Sequence, residues 1–180
     1  MTAFRDAALV LVVGLAVVAQ SVIFRFVAVD GVVPNLALIV VVAAAISRGS
    51  QFAAVLGFAT GLLLDLAPPA DHVAGRWALA LVVVGYLAGR VRQDARTSPV
   101  MAVGLVAAMS FVGTSVFALT GVVLDDGVLP VDLTIKVLLI SVLWDVALAP
   151  FLVPGLVWLV DRLGSYGRTT GSLASTYRMP

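Results

Sequence analysis

Apolar residues run along this chain in six blocks that charged and turn-forming residues separate. The blocks cover residues 7–24, 33–47, 51–66, 76–90, 99–124 and 133–160. A bilayer crossing takes about 20 apolar residues. The pattern therefore predicts an all-α integral membrane protein, a single bundle of about six transmembrane helices over residues 1–163. Residues 164–180, rich in Gly, Ser and Thr, are expected to form a flexible cytoplasmic tail.

The fourth block is short for a full crossing. Its flanking side chains, Trp77, Arg90 and Arg92, would have to reach the membrane surfaces by snorkelling. A helix that enters the membrane and returns is the alternative for this block. Six crossings are favoured, because the charge distribution described below fails when one crossing is removed.

Composition indicates the same environment. Apolar residues make up 62% of the 180 residues, charged residues make up 12%, and the mean hydropathy is +1.14. A soluble domain carries about 25% charged residues, so this chain has too few charges to cover a surface exposed to water. The net charge of +1, with no basic stripe of interleaved aromatics, gives no indication of nucleic-acid binding. The lack of cysteine excludes disulfides and thiolate metal sites.

The distribution of basic residues sets the expected orientation. With the N-terminus in the cytoplasm, the inner segments hold eight basic residues and the outer segments hold three. The inner set is Arg5, Arg48, Arg90, Arg92, Arg96, Arg162, Arg168 and Arg178, and the outer set is Arg25, Arg76 and Lys136. Both termini are therefore expected in the cytoplasm. The first block is expected to be retained rather than cleaved as a signal peptide, because its removal would place the later loops on the wrong sides.

Asp145 is the most unusual residue, since it falls near the bilayer midplane in the sixth block. It is expected to face the bundle interior, either as a protonated acid or as a carboxylate satisfied by hydroxyl and amide groups. Candidate partners are Ser110, Thr114 and Ser115 in the fifth block and Gln20 in the first. Carbonyls freed by Pro150 and Pro154, where the helix is expected to kink, are further candidates. Two roles stay open: a proton or ligand site, and a polar clasp between helices, which is favoured.

Other charged residues are expected at the membrane surfaces. Asp65 closes the third block at the outer interface, where it is expected to pair with Arg76 or to cap the following turn. Arg90, Arg92 and Arg96 form an inner loop. This loop is either a topology anchor or a contact for acidic partner surfaces or anionic lipids.

Small residues define two further helix faces. Gly57 and Gly61 share one face, and Gly85 and Gly89 share another. Such faces permit close backbone approach in a membrane. Two uses stay open for these four glycines: packing within the bundle, and contact with partner membrane proteins, for which they are the candidate surfaces.

Catalytic and metal-binding patterns find no support in the sequence. His72, the only histidine, lies in an outer loop, so HExxH zinc sites and histidine-based triads are not expected. Glycine-rich phosphate loops are missing, and Lys136 falls on a different helix face from Ser141. The chain is therefore expected to be neither an enzyme nor a cofactor-binding protein.

Three motifs follow one another in the second to fourth blocks. They read Val33-Pro34-Asn35-Leu36, then Gly57-Phe58-Ala59-Thr60-Gly61-Leu62-Leu63-Leu64-Asp65, then Gly85-Tyr86-Leu87-Ala88-Gly89. In this order of motifs, in length, in span count and in its proline-containing last helix, the chain resembles the rod shape-determining membrane protein family MreD. Asp145 departs from the resemblance, which would place an uncharged polar residue such as Asn there.

The resemblance implies a non-catalytic scaffold in the bacterial cytoplasmic membrane. It would serve the cell-elongation (rod) complex, which builds the lateral peptidoglycan wall, with MreC as partner and through it MreB, RodA and its class B transpeptidase. The MreD family is also similar in fold to the substrate-binding S components of energy-coupling-factor vitamin transporters. That alternative implies a closed outer pocket beneath the loops around Asp71 and Asp125. A proton-coupled carrier that uses Asp145 is a third hypothesis.

Overall fold

The computed structural model describes residues 12–18, 20, 28–68, 72–126 and 130–164. Within these ranges the regular elements are helices. One isolated antiparallel bridge, between Val29 and Val32, lies in the segment before the helix that begins at Leu36. Residues 12–18 are the described part of α1. The remaining helices are α2 Leu36–Arg48, α3 Ser50–Leu66, α4 Arg76–Arg90, α5 Arg92–Thr97, α6 Pro99–Leu124 and α7 Val131–Gly164. The predicted all-α class is confirmed for this part of the chain.

The helix bounds follow the apolar blocks closely. The blocks 76–90 and 99–124 coincide with α4 and α6, and 51–66 falls one residue short of the start of α3. The block 33–47 begins before α2 does, because residues 33–35 are not helical. The last helix is longer than the block 133–160 and continues through Pro150 and Pro154. The inner loop expected after residue 90 is itself helical in α5, while most of 7–24 and almost all of 164–180 lie outside the described residues.

Successive long helices run in opposite directions, so polar residues collect at two ends of the bundle. What we call the arginine end holds the C-termini of α2, α4 and α7 together with α5; its charged residues include Arg48, Arg90, Arg92, Arg96, Asp161 and Arg162. What we call the aspartate end holds the C-termini of α3 and α6; its charged residues include Asp30, Asp65, Arg76, Asp125, Asp126, Asp132 and Lys136. Side-chain contacts tie the helices together at each end, such as Ser47 with Asp161 and Arg76 with Asp126.

The central helix of the bundle is α2. Every residue from Leu36 to Ser47 is buried, and α2 packs against α3, α4, α6 and α7. Its sequence is Leu, Ile, Val and Ala through residue 46, which suits a helix covered on all sides. With 13 residues it is only about 20 Å long, and its first turn lies inside the bundle rather than at an end.

Small residues bring α3 and α4 into backbone contact, which is the most extensive helix pair described. The residues concerned are Gly57 and Gly61 on α3 and Gly85 and Gly89 on α4. A Cβ atom added to Gly57 would overlap the carbonyl of Leu81, and one added to Gly85 would overlap the carbonyl of Ala53. Close approach of this kind increases dispersion contact between helices. Of the two uses expected for these four glycines, the structure shows packing within the bundle, and the candidate partner surfaces are not available because the two faces cover each other.

The outer surface is apolar along two helices, α6 and α7, which are long and apolar enough to cross a membrane. Exposed residues recur at helical spacing on each: Leu139, Leu143, Ala147, Phe151 and Trp158 form the α7 stripe, and Met101, Gly104, Ala108, Phe111, Leu119 and Val122 form the α6 stripe. Phe151 is 80% exposed and Leu143 is 70% exposed. From Leu139 to Trp158 the α7 stripe measures about 28 Å, close to the ~30 Å hydrocarbon thickness of a bilayer.

Candidate functional site

A buried carboxylate, Asp145, lies at the centre of the bundle. It is completely buried and lies about 21 Å from the start of α7 and 28 Å from its end. The hydroxyl of Ser110 on α6 donates to Oδ2 at 2.6 Å. The backbone N–H of Asn35 donates to Oδ1 at 2.7 Å. Asp145 therefore joins α6 and α7 to the start of the central helix.

The start of α2 needs these partners because its first N–H groups have no acceptors within the helix. Pro34 has no N–H, so Asn35 carries the last N–H donor before α2 begins at Leu36. The Asn35 side chain accepts from the N–H of Leu38 at 3.0 Å, which is a helix N-cap. Gln20 accepts from the N–H of Ala37 at 3.3 Å. The side chain of Asn35 and side chains from two other parts of the chain, Gln20 and Asp145, thus complete a helix start buried in the interior.

Two of the four residues expected to surround Asp145 lie at this site. Ser110 binds the carboxylate directly, whereas Gln20 binds the adjacent helix N-terminus instead. Thr114 and Ser115 lie further along α6 and are not among the partners of Asp145 in the described structure. The backbone N–H of Asn35 was not foreseen as a partner, although an Asn directly before an apolar run is a recognised helix-start signal. The geometry therefore describes a polar junction between helices whose hydrogen-bonding groups satisfy one another.

A second buried carboxylate, Asp65, closes the aspartate end. Its Oδ2 accepts from the N–H of Gly75 at 2.8 Å and of Ala78 at 3.1 Å. Its Oδ1 accepts from the N–H of Trp77 at 3.0 Å and lies 3.0 Å from Nε2 of His72. Asp65 thus caps the N-terminus of α4 from the end of α3, where a negative charge also complements the helix dipole.

Arg76 has a different partner from the one expected. Of the two roles expected for Asp65, the structure shows the cap and not the ion pair with Arg76, because backbone N–H groups at the start of α4 occupy the carboxylate. The guanidinium reaches the end of α6 instead, where it lies 2.9 Å from the carbonyl of Phe117 in the helix and 2.9 Å from Asp126 just after it. It also stacks on the Phe117 ring at 4.0 Å, which supports a cation–π interaction.

Asp126 fastens the loop before α4 to the end of α6. Its Oδ2 accepts from the backbone N–H of Val73 at 2.6 Å and from Arg76 at 2.9 Å. The bond from Val73, followed by the bond and charge of Arg76, holds the pKa of the Asp126 carboxyl below its usual range despite partial desolvation. The ring of Trp77 stacks on Phe117 at 4.4 Å and covers this attachment.

The arginine end is organised around the last carbonyls of α2. Arg96 and Arg92 of α5 both donate to the carbonyl of Ser47, at 3.1 and 3.5 Å. The Ser47 hydroxyl donates to Asp161 on α7, which also pairs with Arg96 at 3.4 Å. Cationic side chains at a helix C-terminus are favourable because the dipole is negative there. Arg90 takes no part in this cluster and lies 5.9 Å from the ring of Tyr86.

No group of three or more His, Cys, Asp or Glu side chains that could hold a metal ion occurs among the residues described here. Comparison of the chain with protein-family models, with curated proteins and with solved structures finds no match.

Proposed function

We propose that this chain is a multi-pass protein of the bacterial cytoplasmic membrane and a non-catalytic scaffold of the cell-elongation (rod) complex, as the MreD family is. The α7 stripe carries the membrane part of this proposal. Its exposed apolar residues extend over about one bilayer thickness. A surface of this kind is stable against lipid or against another membrane helix, and it would associate in water.

The length of α2 is compatible with one of these crossings. The helix measures about 20 Å, and the three non-helical residues before it can span at most about 10 Å more, which together approach one bilayer thickness. Non-helical backbone at membrane depth is tolerated where protein surrounds it, and Asn35 is 6% exposed. With the arginine end in the cytoplasm, the basic residues of that end satisfy the positive-inside rule.

The motifs that resemble the MreD family coincide with the contacts that build the core. The Pro34-Asn35 motif starts α2, the glycines of the second and third motifs form the α3–α4 contact, and Asp65 caps α4. These motifs therefore specify the arrangement of α2, α3 and α4. This supports a shared core with that family, and leaves α6 and α7 as the surfaces on which partners such as MreC would bind.

The deciding experiment is purification from native membranes in mild detergent, followed by mass spectrometry of co-purifying proteins and small molecules. Recovery of MreC or of cell-wall synthases supports the scaffold. Paired variants then locate the contact: Leu143→Ala with Phe151→Ala on α7, against Phe111→Ala with Leu119→Ala on α6. Loss of the partner in one pair only identifies the docking helix. Recovery of no cell-wall protein from membranes that contain the rod complex contradicts the proposal.

The alternative, an S component of a vitamin transporter, is favoured by one observation at the aspartate end. A cleft of about 530 Å³ lies there beside the ion pair of Lys136 and Asp30 and is lined by Leu133, Val137 and Ile140 of α7. It is open to the surface and differs from the closed pocket expected beneath the loops around Asp71, which lies outside the described residues, and Asp125. A vitamin retained through purification, or an ATPase pair with its coupling subunit, would support this alternative. A proton-coupled carrier that uses Asp145 requires loss of function in Asp145→Asn, and full function in that variant excludes it.

A further inference from the structure

A groove opens on the side of the bundle at the arginine end. Its volume is about 440 Å³. The walls are apolar and come from α2, α6 and α7: Ile46, Ala102, Val103, Ala149, Val153 and Val157. Arg96 and Asp161 stand at its mouth, each nearly half exposed. The groove therefore has an apolar body and a charged opening.

The size of the groove limits what can occupy it. From Ala149 to Asp161 it follows α7 for about 18 Å, which is close to one leaflet of a bilayer with a ~30 Å core. A helix about 10 Å across would fill more than ~1,000 Å³ over that length, which exceeds the volume of the groove. A single hydrocarbon chain is narrow enough to lie along it.

The charged residues at the mouth of the groove favour an anionic head group. Arg92 and Arg96 converge on the carbonyl of Ser47, and Arg48 reaches the neighbouring carbonyl of Val160 at 3.4 Å. Among the described residues, two carboxylates lie near these three guanidinium groups: Asp161, which pairs with Arg96 at 3.4 Å, and Asp94, which belongs to the same short helix as Arg92 and Arg96. The local charge is therefore positive, and an anionic group placed there would reduce the repulsion among the arginines.

We propose that this groove binds an anionic phospholipid, with one acyl chain between α6 and α7 and the phosphate at Arg96 and Arg92. A bound lipid would fill the cleft at the arginine end and hold α5 against the bundle. The site goes beyond the scaffold function and does not depend on which proteins the chain assembles with. It requires only that the arginine end lies at a membrane surface.

Native mass spectrometry of the full chain, titrated with phosphatidylglycerol and separately with phosphatidylcholine, tests the proposal. We expect one phosphatidylglycerol to remain bound at energies that remove the other lipids. Val103→Trp, which fills the groove from α6, should weaken that binding at least tenfold. Val157→Trp fills it from α7 and serves if the first variant does not fold. The matched control is Val100→Trp, since Val100 lies on the same helix, 79% exposed, and does not line the groove.

The head group is tested separately. Arg96→Gln should lower phosphatidylglycerol affinity about fivefold and leave phosphatidylcholine binding unchanged, whereas Arg162→Gln should preserve the preference for phosphatidylglycerol. The proposal is overturned if Val103→Trp retains the tight lipid, if both lipids bind wild type equally, or if a photo-crosslinker at Val103 captures a protein helix in native membranes instead of lipid.

Discussion

Replacing each buried carboxylate by asparagine should have unequal effects, because Asp65 and Asp145 face different sets of hydrogen-bonding groups. Both side chains are almost completely buried, at 2% and 0% exposure. The substitution preserves shape and replaces one acceptor oxygen by an NH₂ donor. The outcome then depends on whether the groups facing that NH₂ can reverse their roles.

At Asp65 they cannot, because each carboxylate oxygen faces at least one backbone N–H. Gly75 and Ala78 donate to Oδ2, and Trp77 donates to Oδ1. Whichever way the amide of Asp65→Asn turns, at least one N–H loses its acceptor and meets another donor. A buried unsatisfied group costs about 1–3 kcal/mol, so Asp65→Asn should lower the free energy of unfolding by about that amount. Asp65→Ala leaves all three donors unpaired and should lower it further.

At Asp145 the roles can reverse. The amide oxygen of Asp145→Asn can keep the bond from the N–H of Asn35, while its NH₂ donates to the hydroxyl oxygen of Ser110, which can then turn its proton elsewhere. This variant should stay within about 1 kcal/mol of wild type. Asp145→Leu offers no acceptor to Asn35 and should lose about 1–3 kcal/mol.

Unfolding in mixed micelles, followed by tryptophan fluorescence, measures these differences, and Trp77 reports directly on the cap. Wild type and the four variants are compared in one detergent at neutral pH, with circular dichroism as a check on helix content. The reasoning is refuted if Asp65→Asn is as stable as wild type. It is equally refuted if Asp145→Asn is destabilised as much as Asp145→Leu.

Two further predictions concern the contact between α3 and α4 and the carboxylate of Asp126. Gly57→Ala should prevent close packing of α3 and α4, because its Cβ overlaps the carbonyl of Leu81. Size-exclusion chromatography of this variant should therefore show little folded protein. The control is Gly104→Ala, which has open space around it and should be neutral or slightly stabilising. Because the N–H of Val73 and the nearby guanidinium lower the pKa of Asp126 in the folded state, its contribution to stability is present above the unfolded carboxyl pKa and is lost as the pH falls through the lowered value. The thermal stability of wild type should therefore drop in acid. The Asp126→Asn variant should be less stable than wild type at neutral pH and should lose less thermal stability on acidification.

The sequence predicts helix positions well because charges and turn formers interrupt a nearly uniform apolar background. The agreement at 76–90 and 99–124 reflects this, since Arg76, Arg90 and Pro99 each stand at an actual helix end. The short α5 escaped prediction because Arg92–Thr97 contains one buried residue, Ala95, and a six-residue helix has no apolar period that a sequence can display.

Side-chain pairing was harder to predict than helix position. Asp65 and Arg76 are close in sequence and opposite in charge, yet the nearer partner of the carboxylate was the row of N–H groups that begins α4. Arg76 was free to reach Asp126, 50 residues away, only because α6 returns to the same end. Sequence distance and charge do not show which helices end on the same side of the bundle. The use of the glycine faces stayed open for a similar reason, since spacing shows that a face permits close approach and does not show which helix approaches it.

The location of Asp145 follows from the break in the chain before α2. A completely buried carboxylate is costly unless hydrogen-bond donors face it. Because Pro34 supplies no N–H and residues 33–35 are not helical, the N–H of Asn35 is a buried donor without a helical acceptor. Asp145 supplies that acceptor. An asparagine there would do the same, and this is the residue type that the MreD resemblance would place at the position. The requirement is therefore for an acceptor rather than for a charge, and the near-neutral outcome expected for Asp145→Asn follows from it.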